Sequence, residues 1–455
     1  MFSRAAIGRQ AQRAASRSWQ HQRRGLAEPA SGSFQYQVGD AQGVKIASRE
    51  IPGPVATLAL VSSAGTRYQP VPGLAEGLER YAFKSTARRS TLRIQRESEL
   101  LGSALQTHHS RENVVIGAKF FQNDLPYFVE LLAEVAAMTE YKPHVLHEEV
   151  YPLMDLLHKK YLGNTQEMAL NSAYGVAFHR GLGVPLQPPS NLPYKKYLDA
   201  DNLADYASAA YAKPNFALVG NGVSQSELSK WVGEMFTDVP SQASYQFKPE
   251  QTKYFGGEER IAHSSGNSFV IALPGSSSPT GGFYKPEVAV LAALLGGQST
   301  IKWSPGFSLL SKACQDTPNM FIDTKSTIYS DAGLVTITMS GSASDIKSSA
   351  PKVVEALKGV SQNIDKEAFA KAKALAKFKE LEYGQETSAA MELTGAGLVH
   401  GGKAYQIDEV AKSVDGVTEE KVKQAAKDAL EDKASVSAVG DLYMLPYAEE
   451  IGLKV

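Results

Sequence analysis

The sequence has little cysteine, no long apolar run and almost no net charge. Its 455 residues include one cysteine, Cys314, which excludes an internal disulfide and a cysteine-based zinc site and suits a reducing compartment. We expect this side chain to be a small buried apolar group. The longest uninterrupted apolar run, 288–295, is far shorter than the roughly 20 residues of a membrane helix. Any membrane association is therefore expected to go through partner proteins.

Charge and motif content exclude further classes of function. The formal net charge is −1, which favours neither nucleic acid nor an anionic membrane surface as a partner. The chain has no G-x-S-x-G elbow, no P-loop, no C-x-x-C pair and no haem attachment motif. The sequence therefore predicts no cofactor, and redox chemistry would have to belong to other proteins. A hydrophobic content of 43% is typical of a folded protein, and the length favours two or three domains.

The first 27 residues differ in composition from the rest of the chain. Six arginines occur before the first acidic residue, Glu28; they are Arg4, Arg9, Arg13, Arg17, Arg23 and Arg24. A basic, acid-free segment that can form an amphipathic helix is typical of a mitochondrial transit peptide, here predicted for 1–26. The alternative is a disordered basic tail with another purpose. Removal of the six arginines takes the formal charge from −1 to −7, so the mature chain would be mildly acidic.

Residues 76–80, Glu-Gly-Leu-Glu-Arg, resemble an H-x-x-E-H zinc-peptidase motif in which both histidines are replaced. In an intact motif, the first and last residues present two imidazoles on one face of a helix, and the glutamate activates a metal-bound water. Glu76 and Arg80 occupy the histidine positions. A guanidinium has no lone pair to donate, so Arg80 cannot be a metal ligand. We expect an i,i+4 ion pair between Glu76 and Arg80 instead.

The chain repeats itself at an offset of about 220 residues. A strand and helix at 113–121 and 125–138 correspond to 333–340 and 344–360. Long charged helices at 148–161 and 366–383 follow, then a second helix that carries His179 or His400. Each half closes with a helix, a short strand and a glycine, at 216–220 and 436–440.

These repeats predict an α+β fold of two tandem homologous domains. Strands with period-two alternation, such as 55–61 and 268–273, lie between helices of 12 residues or more. Each half is therefore expected to be a mainly antiparallel sheet with helices packed on one face. The expected domains are 27–237 and 259–455, joined by a linker at 238–258 that is rich in proline, serine, glutamine and glycine.

Four segments together resemble the pitrilysin and mitochondrial processing peptidase family. They are 64–67 (Ala-Gly-Thr-Arg), 73–86, 99–102 (Glu-Leu-Leu-Gly) and 110–112 (Ser-Arg-Glu). They occur in the order and approximate spacing of that family's first domain, and the resemblance extends over nearly the full mature length. It implies two α+β domains that close like a clamp, often in a dimer of two related chains.

The resemblance also implies a third zinc ligand, a glutamate about 75 residues after the second histidine in active members. The window here is 154–157, Met-Asp-Leu-Leu, where leucine is the aligned residue and Asp155 lies nearby. All three ligand positions are changed, so we expect no metal site and no catalytic residue. Only Glu79, the former general base, is retained, and without a metal it has no activated water. We expect it to cap a backbone group or to pair with an arginine such as Arg67.

Family members without zinc are of two types: the substrate-binding subunit of the processing peptidase, and the core proteins of the mitochondrial cytochrome bc1 complex. The first type has a long, flexible glycine-rich loop early in its second domain. At this place the chain has 295–306, in which Ile301, Trp303 and Pro305 interrupt the glycines and predict a stiffer segment. The sequence Lys-Trp-Ser-Pro-Gly at 302–306 favours the core-protein branch.

The core-protein branch implies a non-catalytic subunit on the matrix side of the inner mitochondrial membrane. It would support assembly and stability of the complex that transfers electrons from ubiquinol to cytochrome c. Implied partners are a related core subunit, cytochrome b, cytochrome c1 and the Rieske protein, in a dimeric complex. The alternative branch implies a subunit that presents presequences to a catalytic chain, for which an acidic mature protein would suit basic peptides.

Three further patterns are weaker. His144 and His147 beside acidic residues could bind a metal, but Pro143 favours a solvated helix start. His108 and His109 are adjacent, so in a strand their side chains diverge, and two surface or interface histidines are expected. The glycines at 220 and 222 follow a strand, but the third glycine of a dinucleotide loop is missing, which favours a simple strand-to-helix turn.

Overall fold

The computed structural model describes residues 34–188, 197–243, 247, 251–298 and 306–455. The predicted transit peptide, residues 299–305 of the predicted stiff segment and part of the predicted linker lie outside these residues. The strands are β1 (Gln37–Ala41), β2 (Val44–Arg49), β3 (Val55–Ser62), β4 (Ala104–His109), β5 (Val114–Phe121), β6 (Phe216–Asn221), β7 (Gly257–Ala262), β8 (Asn267–Pro274), β9 (Phe321–Ile328), β10 (Gly333–Gly341) and β11 (Ser435–Gly440).

The helices of the first half are α1 (Leu74–Tyr81), α2 (Thr91–Leu100), α3 (Leu125–Met138), α4 (Tyr151–Leu162), α5 (Thr165–Phe178), α6 (Ala200–Ala210) and α7 (Gln225–Met235). Those of the second half are α8 (Pro286–Leu295), α9 (Leu309–Ala313), α10 (Ala343–Gln362), α11 (Lys366–Gln385), α12 (Thr387–Ala396), α13 (Ile407–Asp415) and α14 (Glu419–Glu431). Helical turns at Pro143–Val145 and Leu146–Val150 lead into α4, and a π-helical turn at Gly397–Gly401 follows α12.

The helices begin where side chains can satisfy free backbone N–H groups. Ser90, Asn164 and Asp199 accept backbone hydrogen bonds at the first turns of α2, α5 and α6. Ser342 and Asp365 do the same for α10 and α11. The predicted helix 125–138 has the predicted bounds, and those predicted for 344–360 and 366–383 are confirmed within two residues at each end.

The strand order confirms the predicted internal repeat. One sheet has the order β1-β2-β6-β3-β5-β4, and the other has β7-β11-β8-β10-β9. Each has one parallel pair, β2 with β6 and β7 with β11, and its other pairs are antiparallel. Both sheets therefore have the same core topology, and the α+β fold class is confirmed. The first sheet differs by its additional outer strand, β1.

Alternation along the strands gives each sheet two apolar faces. In β3, Leu58 and Leu60 lie in a core with α1, α3, α6 and α7, whereas Ala59 and Val61 point to the opposite face. That opposite face packs against Met391 of α12, a helix from the second half. Reciprocally, α5 from the first half packs its buried residues on the free face of the second sheet. Each half thus contributes one helix that covers the free face of the other half's sheet. The sequence did not predict this arrangement.

Gly395 of α12 permits this close packing against the first sheet. A Cβ atom at Gly395 would lie 2.5 Å from Val61 Cβ. We therefore expect Gly395→Ala to lower the free energy of unfolding by about 1–3 kcal/mol, through overpacking. The matched control is Gly359→Ala in α10, where a Cβ meets nothing within 4 Å and where alanine stabilises a helix by about 0.5–1 kcal/mol. Chemical denaturation measures both, and equal effects would contradict the packing argument.

No helix in the described residues has the length and apolar character needed to cross a bilayer.

Cys314 directly follows α9, is 7% exposed and belongs to the apolar core of the second half. Burial raises the pKa of its thiol. The prediction of a buried apolar cysteine is confirmed.

Candidate functional site

Helix α1 carries the residues of the degraded motif and is buried along almost its whole length. It starts after Gly73, which has a φ of 94° and lies where a Cβ would come within 3.5 Å of Met154 Cε. Glu76 is 2% exposed and Glu79 is 6% exposed. Two carboxylates of the motif therefore lie in the protein interior, beside apolar residues of the first core.

The expected ion pair between Glu76 and Arg80 is wrong. Arg80 Nη1 lies 3.0 Å from Glu79 Oε1, so the arginine pairs with its chain neighbour. Glu76 is buried too deeply to form the exposed helical pair that i,i+4 spacing suggested. Burial raises the pKa of Glu76 to about 7, against the opposing charges of His109 and Arg80, while the charge of Glu79 raises it further.

His109 is the second partner of Glu79, and the sequence did not indicate it. Its Nδ1 contacts Glu79 Oε2, and its Nε2 lies 3.1 Å from the carbonyl oxygen of Leu186. Both ring nitrogens face acceptors, so the doubly protonated imidazolium fits this position. Burial opposes that charge, but the hydrogen bond and charge of Glu79 raise the pKa of His109 overall. Glu79 therefore lies between two cations.

The expectation that Glu79 pairs with an arginine is confirmed, but the arginine is Arg80, and Arg67, the residue suggested, binds elsewhere. Arg67 makes ion pairs with Glu112 and Asp331. The adjacent histidines of β4 do diverge, as predicted. His109 contacts residues of the first half, whereas His108 Nε2 lies 3.0 Å from Glu392 Oε2 of the second half. Strand alternation predicted only that the two side chains diverge. It did not predict which residues they contact, because those residues are remote in sequence.

In the segment 154–157, where the family would have its third zinc ligand, the buried side chain is apolar. Met154 is 2% exposed and belongs to the cluster that contains residues of α1, whereas Leu156 is 63% exposed. Asp155 lies near His158, where burial lowers the histidine pKa and the carboxylate opposes that change. No group of three or more histidine, cysteine, aspartate or glutamate side chains in the described part of the chain is arranged to hold a metal ion.

The weaker patterns fall at ordinary structural positions. His144 and His147 are exposed at the helical turns that precede α4, as expected for a solvated helix start. Gly222 has a φ of 77°, and its N–H donates to the carbonyl of Arg49 at 2.8 Å, in the turn between β6 and α7. A Cβ there would come within 2.7 Å of the Val55 carbonyl. The prediction of a strand-to-helix turn is confirmed.

A cavity of about 2000 Å³ separates parts of the two halves. The first half contributes His109 and Arg111 to its wall, and the second contributes Tyr329, Glu392 and His400. Glu392 accepts hydrogen bonds from Ser110 Oγ at 2.8 Å and from Asn113 Nδ2 at 3.3 Å. Burial works against ionisation of Glu392, but its hydrogen bonds, first among them that of His108, lower the pKa overall.

A second polar network, around Arg67, lines this cavity. Arg67 Nη1 and Nη2 donate to Asp331 at 2.7 and 2.6 Å, and Nη1 also donates to Glu112 at 2.7 Å. The Arg67 side chain is 2% exposed. Ser330 N–H donates to Glu112 at 2.9 Å and Thr252 N–H donates to Asp331 at 3.0 Å, so every oxygen of the two carboxylates accepts at least one hydrogen bond. The network joins residues from both halves of the chain.

Comparison with known proteins assigns the family. Residues 45–173 match the family described as Insulinase (Peptidase family M16). The chain is 46% identical to "Cytochrome b-c1 complex subunit 2, mitochondrial" of Neurospora crassa, with 100% of both chains covered. The chain belongs to the cytochrome b-c1 complex subunit 2 family. The subunit 2 of Yarrowia lipolytica is 34% identical, with 94% of this chain and 99% of the relative covered.

A relative named as a processing-peptidase subunit is more distant. The "Mitochondrial-processing peptidase subunit alpha-2" of Dictyostelium discoideum is 26% identical, with 88% of this chain and 89% of the relative covered. The subunit 2 relatives of Neurospora crassa and Yarrowia lipolytica thus have the higher identity over a larger share of the chain. The resemblance drawn from residues 64–112 and the preference for the core-protein branch are both confirmed.

Proposed function

We propose that the protein is a non-catalytic core subunit of the mitochondrial cytochrome bc1 complex. Its role is to support the assembly and stability of the enzyme that transfers electrons from ubiquinol to cytochrome c. The observation that carries this proposal is the full-length similarity to subunit 2 of Neurospora crassa. Large folded surfaces can be retained for subunit contacts after a catalytic site is lost.

The geometry of α1 supports the absence of peptidase chemistry. Zinc hydrolysis needs neutral imidazole or carboxylate ligands and a carboxylate that is free to take a proton from the bound water. Arg80 offers no lone pair. Glu79 is held by Arg80 on one oxygen and by His109 on the other. Both electron-rich atoms of the former base are therefore already occupied by cations.

The remaining assignments follow from the same family relationship. We propose as partners a related core subunit, cytochrome b, cytochrome c1 and the Rieske protein, within a dimeric complex on the matrix side of the inner membrane. Residues 1–26 act as the transit peptide. The mature chain comprises domains 27–237 and 259–455, with 238–258 between them.

Native electrophoresis of detergent-solubilised mitochondria tests the proposal. We expect this chain to co-migrate with haem-containing cytochromes and ubiquinol–cytochrome c reductase activity. Recovery as a soluble heterodimer that cleaves presequences would support the second candidate, the substrate-binding subunit of the processing peptidase. One observation favours that candidate: Glu380, Glu382 and Glu386 line one side of the cavity and would suit a basic peptide.

We expect the purified native protein to contain no stoichiometric zinc, and Glu79→Gln to leave any presequence cleavage by the preparation unchanged. The physical reason is that Arg80 and His109 already bind the two carboxylate oxygens of Glu79. Elemental analysis and a peptide-cleavage assay measure these outcomes. Glu140→Gln, the same substitution at a more exposed acid, is the matched control. One zinc per chain, or cleavage abolished by Glu79→Gln alone, would contradict the proposal.

A further inference from the structure

The two sheets differ at one edge. In the first sheet, β2 lies parallel to the closing strand β6 and is covered on its other side by the antiparallel strand β1. In the second sheet, β7 has the corresponding place, parallel to β11, and it is the last strand of the sheet. Within the described residues, the internal repeat is therefore complete except for a counterpart of β1.

The open edge of β7 offers a regular set of backbone groups. Gly257 N–H donates to Ala434 and His263 N–H donates to Gly440, each across the ladder with β11. In a strand, alternate residues point their backbone groups to opposite sides. The N–H and C=O groups of Glu258, Arg260 and Ala262 therefore point away from β11. These are the groups that an added antiparallel strand would bind.

The described part of the chain does not provide this strand itself, for a local reason. β1 reaches β2 through a tight hairpin at Gln42 and Gly43, both with positive φ. Before β7, by contrast, Phe255 N–H donates to the carbonyl of Ala177 at the end of α5, at 2.9 Å. The chain thus approaches β7 from α5 and does not fold back along its edge. An added strand would have to come from another segment.

The side chains of β7 leave this edge accessible. Exposed edges are commonly protected by charges that project beside them. Here Glu258 and Arg260 pair with each other at 2.9 Å, and both side chains are only 14% exposed. Arg260 also donates to the carbonyls of Leu442, Leu445 and Pro446 in the C-terminal segment. Its charge is therefore directed to this segment instead of along the edge.

An apolar rim lies beside the edge. The guanidinium of Arg260 lies 3.9 Å from the ring centroid of Tyr447. Tyr447 is 51% exposed, Met444 is 41% exposed and Tyr443 is fully exposed. Exposed aromatic residues and methionine in one patch are typical of protein–protein interfaces. An open strand edge and an apolar patch thus occur side by side.

We propose that the β7 edge, together with Tyr443, Met444 and Tyr447, binds an extended segment of another subunit as a sixth, antiparallel strand. The added strand takes the place that β1 has on β2, and its main chain binds the backbone groups of Glu258, Arg260 and Ala262. Affinity comes from these hydrogen bonds, and apolar side chains of the segment pack on the rim. That the segment belongs to the cytochrome bc1 complex rests on the proposed function.

A second copy of this chain fits the edge less well. Two copies of β7 paired over their full length about a two-fold axis would place Arg260 opposite Arg260, or Glu259 opposite Glu259. Like charges directly opposite each other destabilise a strand pair. The edge therefore favours a different polypeptide, whose residue beside the exposed Glu259 is basic or neutral.

Hydrogen–deuterium exchange with residue-level fragmentation tests the proposal on the native complex and on the isolated full-length chain. We expect the amides of Glu258, Arg260 and Ala262 to exchange about tenfold or more slowly in the complex, as each gains a hydrogen bond. The amides of Glu259 and Ile261, already bonded to β11, should change little. Equal exchange at the first three residues in both samples would overturn the proposal, as would concentration-dependent protection in the isolated chain.

Ala262→Pro removes one outward N–H and leaves the ladder with β11 intact. We expect it to reduce the yield of assembled complex by about tenfold, whereas Ala262→Ser, which keeps the N–H, has little effect. Thermal unfolding of both isolated variants checks that the strand is retained. Equal assembly of the two variants would overturn the edge proposal while co-migration with cytochromes still supported the proposed function. Failure of the native chain to co-migrate would overturn both.

Discussion

Arg67→Ala is expected to lower the free energy of unfolding by about 3–5 kcal/mol, because it breaks a buried ion-pair network that joins the two halves of the chain. The arginine side chain is 2% exposed and binds Glu112 of the first half and Asp331 of the second. Its removal leaves the buried carboxylate of Glu112 and the partly exposed carboxylate of Asp331 without their counter-ion, and an uncompensated buried charge costs far more than a neutral cavity. Chemical denaturation of the full-length chain measures the change.

The control variants separate charge from geometry. Arg67→Lys keeps the charge but loses the planar fork that binds both oxygens of Asp331, so we expect an intermediate loss. Because Asp331 and Arg67 share one interaction, the Arg67→Ala and Asp331→Ala double variant should lose less than the two single variants together. Additive losses, or a change below about 1 kcal/mol for Arg67→Ala, would show that the network does not join the halves.

The sequence predicted the elements and the repeat of this fold, but not how the halves fit together. Helix 125–138 was predicted at its observed bounds because its apolar residues and Pro126 give local signals. The partner of α5 could not be predicted in this way. Ala169, Ala173 and Ala177 show that one side of the helix is buried, but an apolar stripe carries no information on which sheet covers it. Tertiary packing decides which sheet α5 and α12 each cover.

The candidate site shows the same limit at the level of single side chains. The expectation that Arg80 is not a zinc ligand needed only the residue identity, because a guanidinium cannot bind zinc in any fold. The sequence did not predict the two partners that Glu79 has in the structure. Spacing favoured a pair between Glu76 and Arg80, but burial of Glu76 left Arg80 to pair with Glu79. His109 reaches the site only because β4 lies beside α1, which depends on the assembled sheet.

Burial of Glu76 leads to the second large effect, on the pH dependence of stability. The pKa of Glu76 rises from 4.5 to about 7 on folding, chiefly through burial. A carboxyl with a raised pKa contributes stability that is fully present below pH 4.5 and is lost as the pH rises through 7. Above pH 7 the ionised carboxylate therefore costs stability. We expect Glu76→Gln to stabilise the protein by about 2–3 kcal/mol at pH 8, with little effect at pH 4.5.

The pH profile of this difference distinguishes the cause. Denaturation of native and variant chains at intervals between pH 4.5 and pH 8 should give a gain that grows through this range. Asp331→Asn is the control of opposite sign: the hydrogen bonds and charge of Arg67 outweigh burial and lower the pKa of Asp331, so its contribution is present at pH 8 and is lost on acidification. A gain from Glu76→Gln that is the same at every pH would mean that packing, and not ionisation of this carboxyl, sets its cost. A pH-dependent gain would instead identify α1 as a helix that keeps a buried carboxyl at a measurable cost in stability.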